Sequence, residues 1–237
     1  MNLVLLFEDD FVDETKTRVR LDGRRLRHLR KILRVEPGDR VAVGLAGGEI
    51  GQGEVLAIDR RSAELEVTLG SPPPAPLDVI LVLALPRPPV LRRTLIAATS
   101  LGVKRIEIVA AERVEKSFWQ SHAVDPPAMR EQLFLGLEQA RDTRVPEVRL
   151  HRRFAAFASD VLPSRCFGRT GLLAHPDGAS PPPVPWPTPA LLAVGPEGGW
   201  VEPEIVAFEA AGLRAVGLGE RILRVETAVA LLLGRFA

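Results

Sequence analysis

A proline-rich break near the end of the first third of the chain constrains the fold more than any other feature of the sequence. Four of the five residues at positions 72–76 are proline, which is typical of a stiff connection between domains. Short apolar segments of β-strand composition precede the break, and strand-like and helix-like segments alternate after it. With 237 residues, the chain is long enough for two modest domains. We therefore expect one domain over residues 1–71 and a second over residues 77–237.

The first domain is expected to be a small closed β-barrel. Short segments rich in Val, Leu and Ile, separated by Gly, Asp or Arg-Ser, predict strands at residues 40–44, 51–58 and 63–69. One helix is predicted over about residues 22–35, with apolar positions spaced to form one buried face. These positions are His28, Leu29, Ile32 and Leu33. We expect His28 to pack against the barrel rather than to act in catalysis.

The second domain is expected to hold a mostly parallel β-sheet with helices on both sides, because strands and helices alternate along it. The predicted strands are residues 78–85, 105–110, 171–175, 190–195 and 214–218. The predicted helices are residues 89–101, 126–142, 203–211 and a last helix from about residue 226. A second proline-rich segment, at residues 181–189, is interpreted as a rigid surface loop. In such an α/β architecture, ligands bind beyond the carboxyl ends of the strands.

Two loops that directly follow predicted strands carry the most informative residues. The first loop reads Gly195-Pro196-Glu197-Gly198-Gly199-Trp200, and the second reads Leu218-Gly219-Glu220-Arg221-Ile222-Leu223-Arg224. Glycine permits positive φ and lets the backbone approach a ligand with no Cβ in the way. Either loop alone could be an ordinary tight turn. Two such loops at neighbouring strand ends, with Arg224 and Glu226 at the end of the second, favour a binding cleft.

Composition and missing motifs argue against several other classes of protein. Lys and Arg total 31 against 30 Asp and Glu, so the net charge of +1 gives no overall attraction to nucleic acid. The single Cys166 has no partner for an intramolecular disulfide or a zinc site, and we expect no metal. Phosphate-loop and dinucleotide-binding signatures are absent, which disfavours an ATP-driven machine or an oxidoreductase. No apolar run is long enough for a signal peptide or a membrane span, so we expect a cytoplasmic protein.

At the two loops the sequence resembles the SPOUT methyltransferases, and within them the RsmE family of ribosomal RNA uridine-N3 methyltransferases. Residues 195–199 and the pattern Leu218-Gly219-x-Arg221-Ile222-Leu223-Arg224-x-Glu226-Thr227-Ala228 are similar to two C-terminal signatures of that family. An N-terminal motif is matched by His28-Leu29-x-Lys31-Ile32-Leu33-Arg34 with Gly38-Asp39. A central motif is matched by Glu138-Gln139-Ala140-Arg141 with Val145-Pro146. The resemblance runs along nearly the whole chain.

The chain departs from the family pattern at three places. The family usually has Lys-Gly-Asp, Thr-Glu-Leu-Gly and Arg-Thr-Glu where this chain has Arg87-Pro88-Pro89, Thr99-Ser100-Leu101-Gly102 and Arg224-Val225-Glu226. The glycine loops are retained, and the changes lie at positions that could face RNA. The departures therefore bear on the target nucleotide more than on the methyl donor.

The resemblance implies a PUA-like β-barrel that binds RNA, followed by an α/β SPOUT domain whose C-terminal part forms a trefoil knot. It further implies that S-adenosylmethionine donates a methyl group to N3 of a uridine in 16S ribosomal RNA, either free or in the small subunit. A homodimer formed through the SPOUT domain is expected. One alternative is a methyltransferase of the same fold that acts on transfer RNA or another ribosomal site. Another is a non-catalytic RNA-binding assembly factor, which intact Arg224 and Glu226 disfavour.

The candidate site residues follow from these loops and from the chemistry. The expected cofactor-binding residues are Gly195, Pro196, Glu197, Gly198, Gly199, Leu218, Gly219, Ile222, Leu223 and Thr227. N3 of uridine must lose a proton to become nucleophilic, and a guanidinium near the uracil oxygens stabilises the resulting anion. We assign that role to Arg224. Glu226 could take the proton, orient Arg224, or favour the last helix from its first turn.

A basic segment in the first domain is the candidate RNA-binding surface. Residues 16–34 hold nine Lys or Arg and a single acid, Asp22, which leaves too few acids for internal pairing. A solvated helix face is the simpler explanation, but the lack of acids favours contact with phosphates. The expected RNA-binding residues are Arg24, Arg25, Arg30, Lys31, Arg34, Arg87 and Arg141. With 5% aromatic residues and no Tyr, a flipped base held by shape and Arg is favoured over stacking.

Overall fold

The computed structural model describes residues 2–179 and 184–236, and this part of the chain forms two units. Unit 1 contains the residues up to Ala75 together with Phe134–Val145. Unit 2 contains Pro76–Leu133 together with the residues from Pro146 onward. The sequence analysis assigned all residues after 77 to the second domain, so the grouping of residues 134–145 differs from that expectation. Backbone hydrogen bonds explain why residues 134–145 belong to unit 1, because the N–H groups of Asn2 and Leu3 both donate to the carbonyl of Glu138.

Unit 1 is built on a five-stranded sheet. Its strands are β1 (Val4–Leu6), β2 (Arg18–Leu21), β3 (Arg40–Leu45), β4 (Ile50–Ile58) and β5 (Ala63–Ser71), in the order β1-β3-β4-β5-β2. The β1–β3 pair is parallel and the other pairs are antiparallel. The three predicted strands are confirmed, and β1 and β2 were missed because each is only three or four residues long. Within the described residues no ladder joins β1 to β2, so strand pairing alone does not close the expected barrel.

The predicted helix of unit 1 has an irregular end. An α-helix, α1 (Gly23–His28), continues into a π-helical turn over Leu29–Leu33, and Arg34 then adopts the left-handed conformation. Leu29 is fully buried, but Ile32 and Leu33 are exposed. The prediction that Ile32 and Leu33 lie on the buried face is wrong. A π-turn has more residues per turn than an α-helix, so Ile32 is rotated further from the face that Leu29 occupies than α-helical periodicity predicts.

Unit 2 contains a six-stranded sheet in which every ladder is parallel. Its strands are β6 (Leu77–Ala84), β7 (Val103–Val109), β8 (Glu147–His151), β9 (Thr170–Ala179), β10 (Ala190–Val194) and β11 (Leu213–Val216), in the order β11-β9-β10-β6-β7-β8. The predicted parallel sheet is confirmed. Strand β8 was missed because it lies at the edge, with no residue fully buried and charged residues at alternating positions.

The helices of unit 2 follow its strands closely. They are α2 (Pro88–Ser100), α3 (Pro126–Ala140), α4 (Phe154–Ala156), α5 (Leu162–Cys166), α6 (Glu202–Ala210) and α7 (Val225–Leu233), and α3 continues into unit 1. A π-turn over Phe157–Val161 joins α4 to α5. The four predicted helices are confirmed to within two residues at most ends, and the segment from α4 to α5 was missed. Helices α2 and α7 pack against each other.

Two further observations complete the fold. None of the helices within the described residues is long and apolar enough to cross a membrane. The proline-rich segment at residues 181–189 was interpreted as a rigid loop, and residues 181–183 of it lie outside the part of the chain that the structure describes. Two apolar strand segments lie in the interior of unit 2. Residues 79–84 of β6 and residues 190–194 of β10 are all buried.

Candidate active site

The two glycine-containing loops both leave the carboxyl edge of the unit 2 sheet. Residues 195–200 follow β10, and residues 217–224 follow β11. The strands are not neighbours as expected, because β9 lies between β10 and β11. That correction sets the starting points of the two loops about 10 Å apart, two strand spacings, instead of about 5 Å. The separation suits a ligand that lies across the end of β9.

The loop after β10 is held from three directions by residues of unit 2. The backbone N–H of Arg87, just before α2, donates to the Glu197 carboxylate at 3.1 Å. The guanidinium of Arg113 donates to the carbonyl of Gly198. Trp200 is buried and lies against the rings of Phe154 and Phe208, with centroid distances of 6.2 and 4.9 Å. The first loop is therefore fixed by the fold itself before any ligand binds.

The glycines of this loop serve different purposes. A Cβ on Gly195 would lie 3.2 Å from the indole of Trp200, and one on Gly198 would lie 3.2 Å from the side chain of Arg113. Side chains of the protein therefore occupy the space beside these two glycines, so the lack of a Cβ serves packing there. Gly199 has a φ of +73° with only the end of Arg113 within 4 Å. Gly199 is thus the position of the first loop where glycine conformation and free space coincide.

A buried carboxylate fixes the exit of the first loop into α6. Glu204 accepts hydrogen bonds from the backbone N–H of Val201 at 3.0 Å and of Glu112 at 2.8 Å. Because both acceptor oxygens are used, the charge is stabilised although the side chain is 4% exposed. No local motif in the sequence indicated the link from Glu204 to residue 112, which only the tertiary fold creates.

The loop after β11 begins tightly packed and then becomes exposed. A Cβ on Gly217 would lie 2.9 Å from the carbonyl oxygen of Gly178, and a Cβ on Gly178 would lie 2.4 Å from the Val216 backbone. The two glycines therefore allow the end of β9 to lie against the start of the second loop. Sequence reasoning did not single out Gly178, although Pro176-Asp177-Gly178 is a turn-like sequence that could have indicated it.

The rest of the second loop contains the predicted cofactor-binding residues. Leu218 and Leu223 are half-buried, whereas residues 219–222 are exposed and Ile222 is 88% exposed. Gly219 has a φ of +98° and no atom within 4 Å of a Cβ built on it. Of the remaining predicted residues, Pro196 is buried in the first loop, and Thr227 is exposed in the first turn of α7. The second loop thus presents an open surface where the first loop is packed.

The predicted catalytic pair lies at the start of α7, together with an arginine that sequence reasoning missed. Arg224 is exposed and immediately precedes α7, and Glu226 lies in its first turn. The hydrogen-bond partner of Glu226 is Arg93 of α2, whose Nη2 donates to Oε1 at 3.0 Å. The second oxygen, Oε2, is buried and has no partner among the described residues. No sequence motif marked Arg93, because its position opposite Glu226 depends on how α2 packs against α7.

The environment of Glu226 keeps its carboxylate ionised. A hydrogen bond from its own backbone N–H holds the pKa of Glu226 below its ordinary value, and the positive charges of Arg93 and Arg224 act in the same direction. Partial burial opposes them by raising the pKa, and the side chain is 18% exposed. An ionised carboxylate with a lowered pKa is a good hydrogen-bond acceptor but a weak general base. This property favours an accepting or orienting role over proton removal.

Two of the predicted RNA-binding arginines are engaged within unit 1. Arg24 donates to both oxygens of the buried Glu138 at 2.7 and 2.8 Å. Arg25 binds both carboxylate oxygens of Asp10 and also donates to the carbonyl of Leu5 at 3.0 Å. Bidentate pairs of this kind hold the guanidinium in place. Because Arg25 is largely buried, its charge serves the fold of unit 1 first.

The other predicted RNA-binding residues are exposed. Arg30, Lys31 and Arg34 lie on and just after the π-turn of unit 1, and Arg141 follows α3 with a φ of +54°. Arg87 lies just before α2 in unit 2, and the two prolines that follow it occupy the first turn of α2, where an N–H needs no helical partner. The departure at Arg87-Pro88-Pro89 is therefore compatible with a helix that starts at Pro88. No cluster of three or more potential metal ligands occurs among the described residues.

Comparisons with known proteins find matches along nearly the whole chain. A family profile described as an RNA methyltransferase domain matches residues 73–237, and one described as an RNA methyltransferase PUA domain matches residues 21–68. The ribosomal RNA small subunit methyltransferase E of Treponema pallidum is 30% identical over 238 residues, covering 96% of this chain and 87% of that protein.

Solved structures give the same result. A ribosomal RNA small subunit methyltransferase E from Neisseria gonorrhoeae, bound to S-adenosylmethionine, aligns with a TM-score of 0.74 and 27% identity. The alignment covers 99% of this chain and 95% of that one. A Legionella pneumophila protein in complex with S-adenosylmethionine aligns with a TM-score of 0.75 at 20% identity over 98% of this chain and 95% of that one, a likeness of fold alone.

Proposed function

We infer that this chain, which belongs to the RNA methyltransferase family and is a relative of ribosomal RNA small subunit methyltransferase E, methylates a ribosomal RNA. The proposed target is N3 of a uridine in 16S ribosomal RNA. The methyl donor is S-adenosylmethionine. The observation that carries the proposal is the relative from Treponema pallidum, similar over nearly the full length of both proteins. The SAM-bound structure from Neisseria gonorrhoeae supports the choice of cofactor.

The two loops of unit 2 fit the proposed cofactor. Bound S-adenosylmethionine supplies an electrophilic methyl group on a positively charged sulfur. We assign its binding to the backbone of residues 195–199 and 218–223, with Thr227 nearby. Gly199 and Gly219 combine positive φ with open space, so their backbone groups are accessible to a ligand. The other residues of the first loop determine its shape. Gly195 lies against Trp200 and Gly198 lies against Arg113. Glu197 accepts a hydrogen bond from the backbone of Arg87.

Arg224 is the residue that we assign to the uridine. The N3 position of uracil is protonated at neutral pH, and it becomes a nucleophile only as the anion. A guanidinium beside the uracil oxygens stabilises that anion and lowers the pKa of the imide. Arg224 is exposed at the end of the second loop and is always charged, which suits this task. Positive charge there also matches the phosphates of an approaching RNA strand.

Glu226 acts in this proposal as a fixed hydrogen-bond acceptor. Its Oε1 is occupied by Arg93, so the partner-free Oε2 is the oxygen that can accept an N–H from a ligand. Its lowered pKa makes Glu226 a weak base towards the uridine imide, so we assign removal of the uridine proton to hydroxide from the solvent. Arg93 therefore acts as the residue that orients Glu226.

The remaining expectations extend the proposal beyond the catalytic site. We propose that Arg30, Lys31, Arg34, Arg87 and Arg141 contact RNA, that the C-terminal part of unit 2 is knotted, and that the protein acts as a cytoplasmic homodimer. The TM-score of 0.74 to a relative of known activity supports a shared architecture for the C-terminal part. The separate PUA-domain match supports an RNA-binding role for unit 1.

Methyl transfer to isolated ribosomal particles tests the proposal. The purified chain is incubated with tritiated S-adenosylmethionine and with small subunits or 16S RNA from cells that lack the protein. We expect tritium in 16S RNA, and mass spectrometry of the nucleosides should identify 3-methyluridine. Label in transfer RNA or at another ribosomal nucleotide would replace the target, and cofactor binding without any transfer would favour an assembly factor.

A further inference from the structure

The π-turn of unit 1 has a backbone conformation that is unusual for its sequence. Residues 29–34, here called the 29–34 tip, consist of the turn over Leu29–Leu33 and Arg34, which has a φ of +54°. The backbone N–H groups of Arg34 and Val35 both donate to the carbonyl of Leu29, which closes the turn. π-turns occur frequently at functional sites, and a non-glycine residue in the left-handed region stores local strain.

The tip exposes apolar side chains that the fold does not use. Ile32 is 68% exposed and Leu33 is 44% exposed, whereas the preceding Leu29 is fully buried in the core of unit 1. An α-helical continuation would have kept these side chains near the face of Leu29. The strained backbone of the tip thus presents two adjacent aliphatic side chains to the solvent. Within the described residues, the apolar core of unit 1 includes neither side chain, so both are available for contact with a ligand.

The apolar pair is surrounded by positive charge. Arg30, Lys31 and Arg34 are exposed around it, and Arg27 lies one turn earlier. Within residues 2–179 and 184–236, no ion pair is formed by Arg27, Lys31 or Arg34. Backbone hydrogen bonds from Ser62 and Arg61 lower the pKa of Asp59, and the charge of the nearby Arg30 adds to them only slightly. Arg24 and Arg25, by contrast, already bind Glu138 and Asp10. The uncommitted cations of the basic segment are therefore concentrated at the tip.

We propose that the 29–34 tip binds unpaired nucleotides of the RNA, with Ile32 and Leu33 against base or ribose faces and Lys31 and Arg34 on the flanking phosphates. Charge complementarity identifies RNA as the occupant, since a polyanion matches the unpaired cations. The exposed aliphatic pair indicates that the bound RNA is unpaired. Base faces are covered by stacking in an A-form duplex, so apolar side chains gain contact only where bases are splayed out. The inference rests on the proposed function, because it assumes an RNA substrate.

Binding to two RNAs separates the apolar contact from the charge contact. The probes are an unpaired RNA oligonucleotide and a fully paired duplex with the same number of phosphates. The double variant Ile32→Ser/Leu33→Ser should weaken binding to the unpaired RNA about tenfold and change duplex binding less than about twofold. Its dependence of affinity on salt should equal that of the wild type. Lys31→Ala/Arg34→Asn should weaken both RNAs and reduce the slope of log affinity against log salt by about 1.5.

Matched variants control for indirect effects. Val12→Ser removes another exposed apolar side chain of unit 1 and should leave both affinities unchanged. Arg34→Gly relieves the left-handed strain, so it should raise the melting temperature by about 2 °C while it weakens RNA binding. Equal losses on both RNAs after Ile32→Ser/Leu33→Ser, or no loss on the unpaired one, would overturn the proposal.

Two reference measurements separate this inference from the proposed function. If the wild type methylates ribosomal RNA and the tip variants bind unpaired RNA normally, the tip assignment is wrong and the enzyme assignment stands. If the wild type binds unpaired RNA through the tip but transfers no methyl group, the tip assignment stands and the enzyme assignment is wrong. Light scattering of wild type and Ile32→Ser/Leu33→Ser detects the other possible occupant. A change from dimer to monomer with unchanged RNA affinity would assign the tip to a second copy of the chain and refute the proposal.

Discussion

The two glycine loops of unit 2 are similar in composition and position but differ in what holds them. The loop after β10 is fixed by the indole of Trp200, the guanidinium of Arg113 and the N–H of Arg87. Residues 219–222 of the loop after β11 are exposed. Glycine in the first loop mostly makes room for the protein's own side chains, and Gly219 in the second leaves its space open. The same residue type therefore serves packing in one loop and accessibility in the other.

This difference predicts where substitutions take effect. A packed loop has contacts that a substitution can disrupt, whereas the side chains of an exposed loop have few contacts to lose. Changes in the first loop should act through the stability of the fold. Changes in the second loop should act through binding and catalysis with little effect on stability.

The largest expected effect is at Arg224, at the end of the second loop. Arg224→Ala should lower the rate of methyl transfer about 10²–10³-fold, because the uracil anion loses its stabilising charge. Calorimetry should show S-adenosylmethionine affinity within about twofold of the wild type, since the loop backbone is intact. Single-turnover transfer of labelled methyl to 16S RNA measures the rate.

Arg224→Lys serves as the control for charge alone. It keeps a cation but loses the planar fork, so an intermediate rate is expected. An unchanged rate in Arg224→Ala would remove this residue from the mechanism. A lowered rate together with a lowered melting temperature would show instead that the second loop contributes to the stability of the fold, contrary to the difference drawn between the two loops.

The first loop should respond through stability. Gly195→Val places its new Cβ 3.2 Å from Trp200, which is wedged against Phe154 and Phe208 and has little freedom to move. Overpacking of this kind should lower the free energy of unfolding by about 2–3 kcal/mol. Denaturant unfolding followed by Trp fluorescence measures it.

Gly70→Val is the matched control, because a Cβ on Gly70 has no atom within 4 Å and its φ is not in the left-handed region. Its unfolding free energy should change by less than about 0.5 kcal/mol. Should Gly195→Val prove as stable as the wild type but fail to bind S-adenosylmethionine, Gly195 itself would be a direct ligand contact and not a packed support.

Arg93 tests whether Glu226 depends on its neighbour. The pKa of Glu226 is lowered in the folded protein, so the ionised form is present above that pKa and is lost as the pH falls through it. Arg93→Ala removes one of the causes of the lowering, so the pKa of Glu226 should rise. The acidic limb of the rate profile should move to higher pH, and the rate at neutral pH should fall about tenfold.

Arg92 provides the control on the same helix, since it is exposed and no ion pair is described for it. Arg92→Ala should retain the wild-type pH profile, and Arg93→Lys should restore most of it. The profile is measured as single-turnover rate from about pH 3 to pH 8, because the acidic limb set by a lowered carboxyl pKa lies at low pH, with circular dichroism to verify folding. If Arg93→Ala lowers the rate equally at every pH, its role is structural and does not involve the protonation of Glu226.

The sequence predicts the order of the elements and the position of the two loops better than it predicts contacts. Strand β10 and residues 79–84 of β6 are uniformly apolar, and the helices carry clear start and stop signals at Pro88 and Gly212. The pairing order of strands is not encoded locally, which is why β9 between β10 and β11 was unexpected. Arg93 opposite Glu226 likewise depends on the packing of α2 against α7.

Two other differences have local physical causes. The exposed Ile32 and Leu33 occupy positions that α-helical periodicity assigns to a buried face, and the π-turn that replaces the helix rotates Ile32 away from that face. The cations Arg24 and Arg25 are part of a charge run, but their partners Glu138 and Asp10 are distant in sequence or in another element. For the glycines, composition identifies flexible positions but cannot tell which of them a neighbouring side chain fills.

The smallest expected effect distinguishes strain from ligand binding at one such glycine. Gly219 follows β11 and Gly212 precedes it, at opposite ends of the strand, with φ values of +98° and +93° and no atom within 4 Å of a built Cβ. Alanine at either position should therefore cost the same free energy of unfolding, about 1 kcal/mol, from left-handed strain alone. Gly219→Ala should in addition weaken S-adenosylmethionine binding about fivefold, whereas Gly212→Ala should bind normally. Titration calorimetry and thermal unfolding of the two variants make the comparison, and equal cofactor affinities would show that the open space at Gly219 is not part of the site.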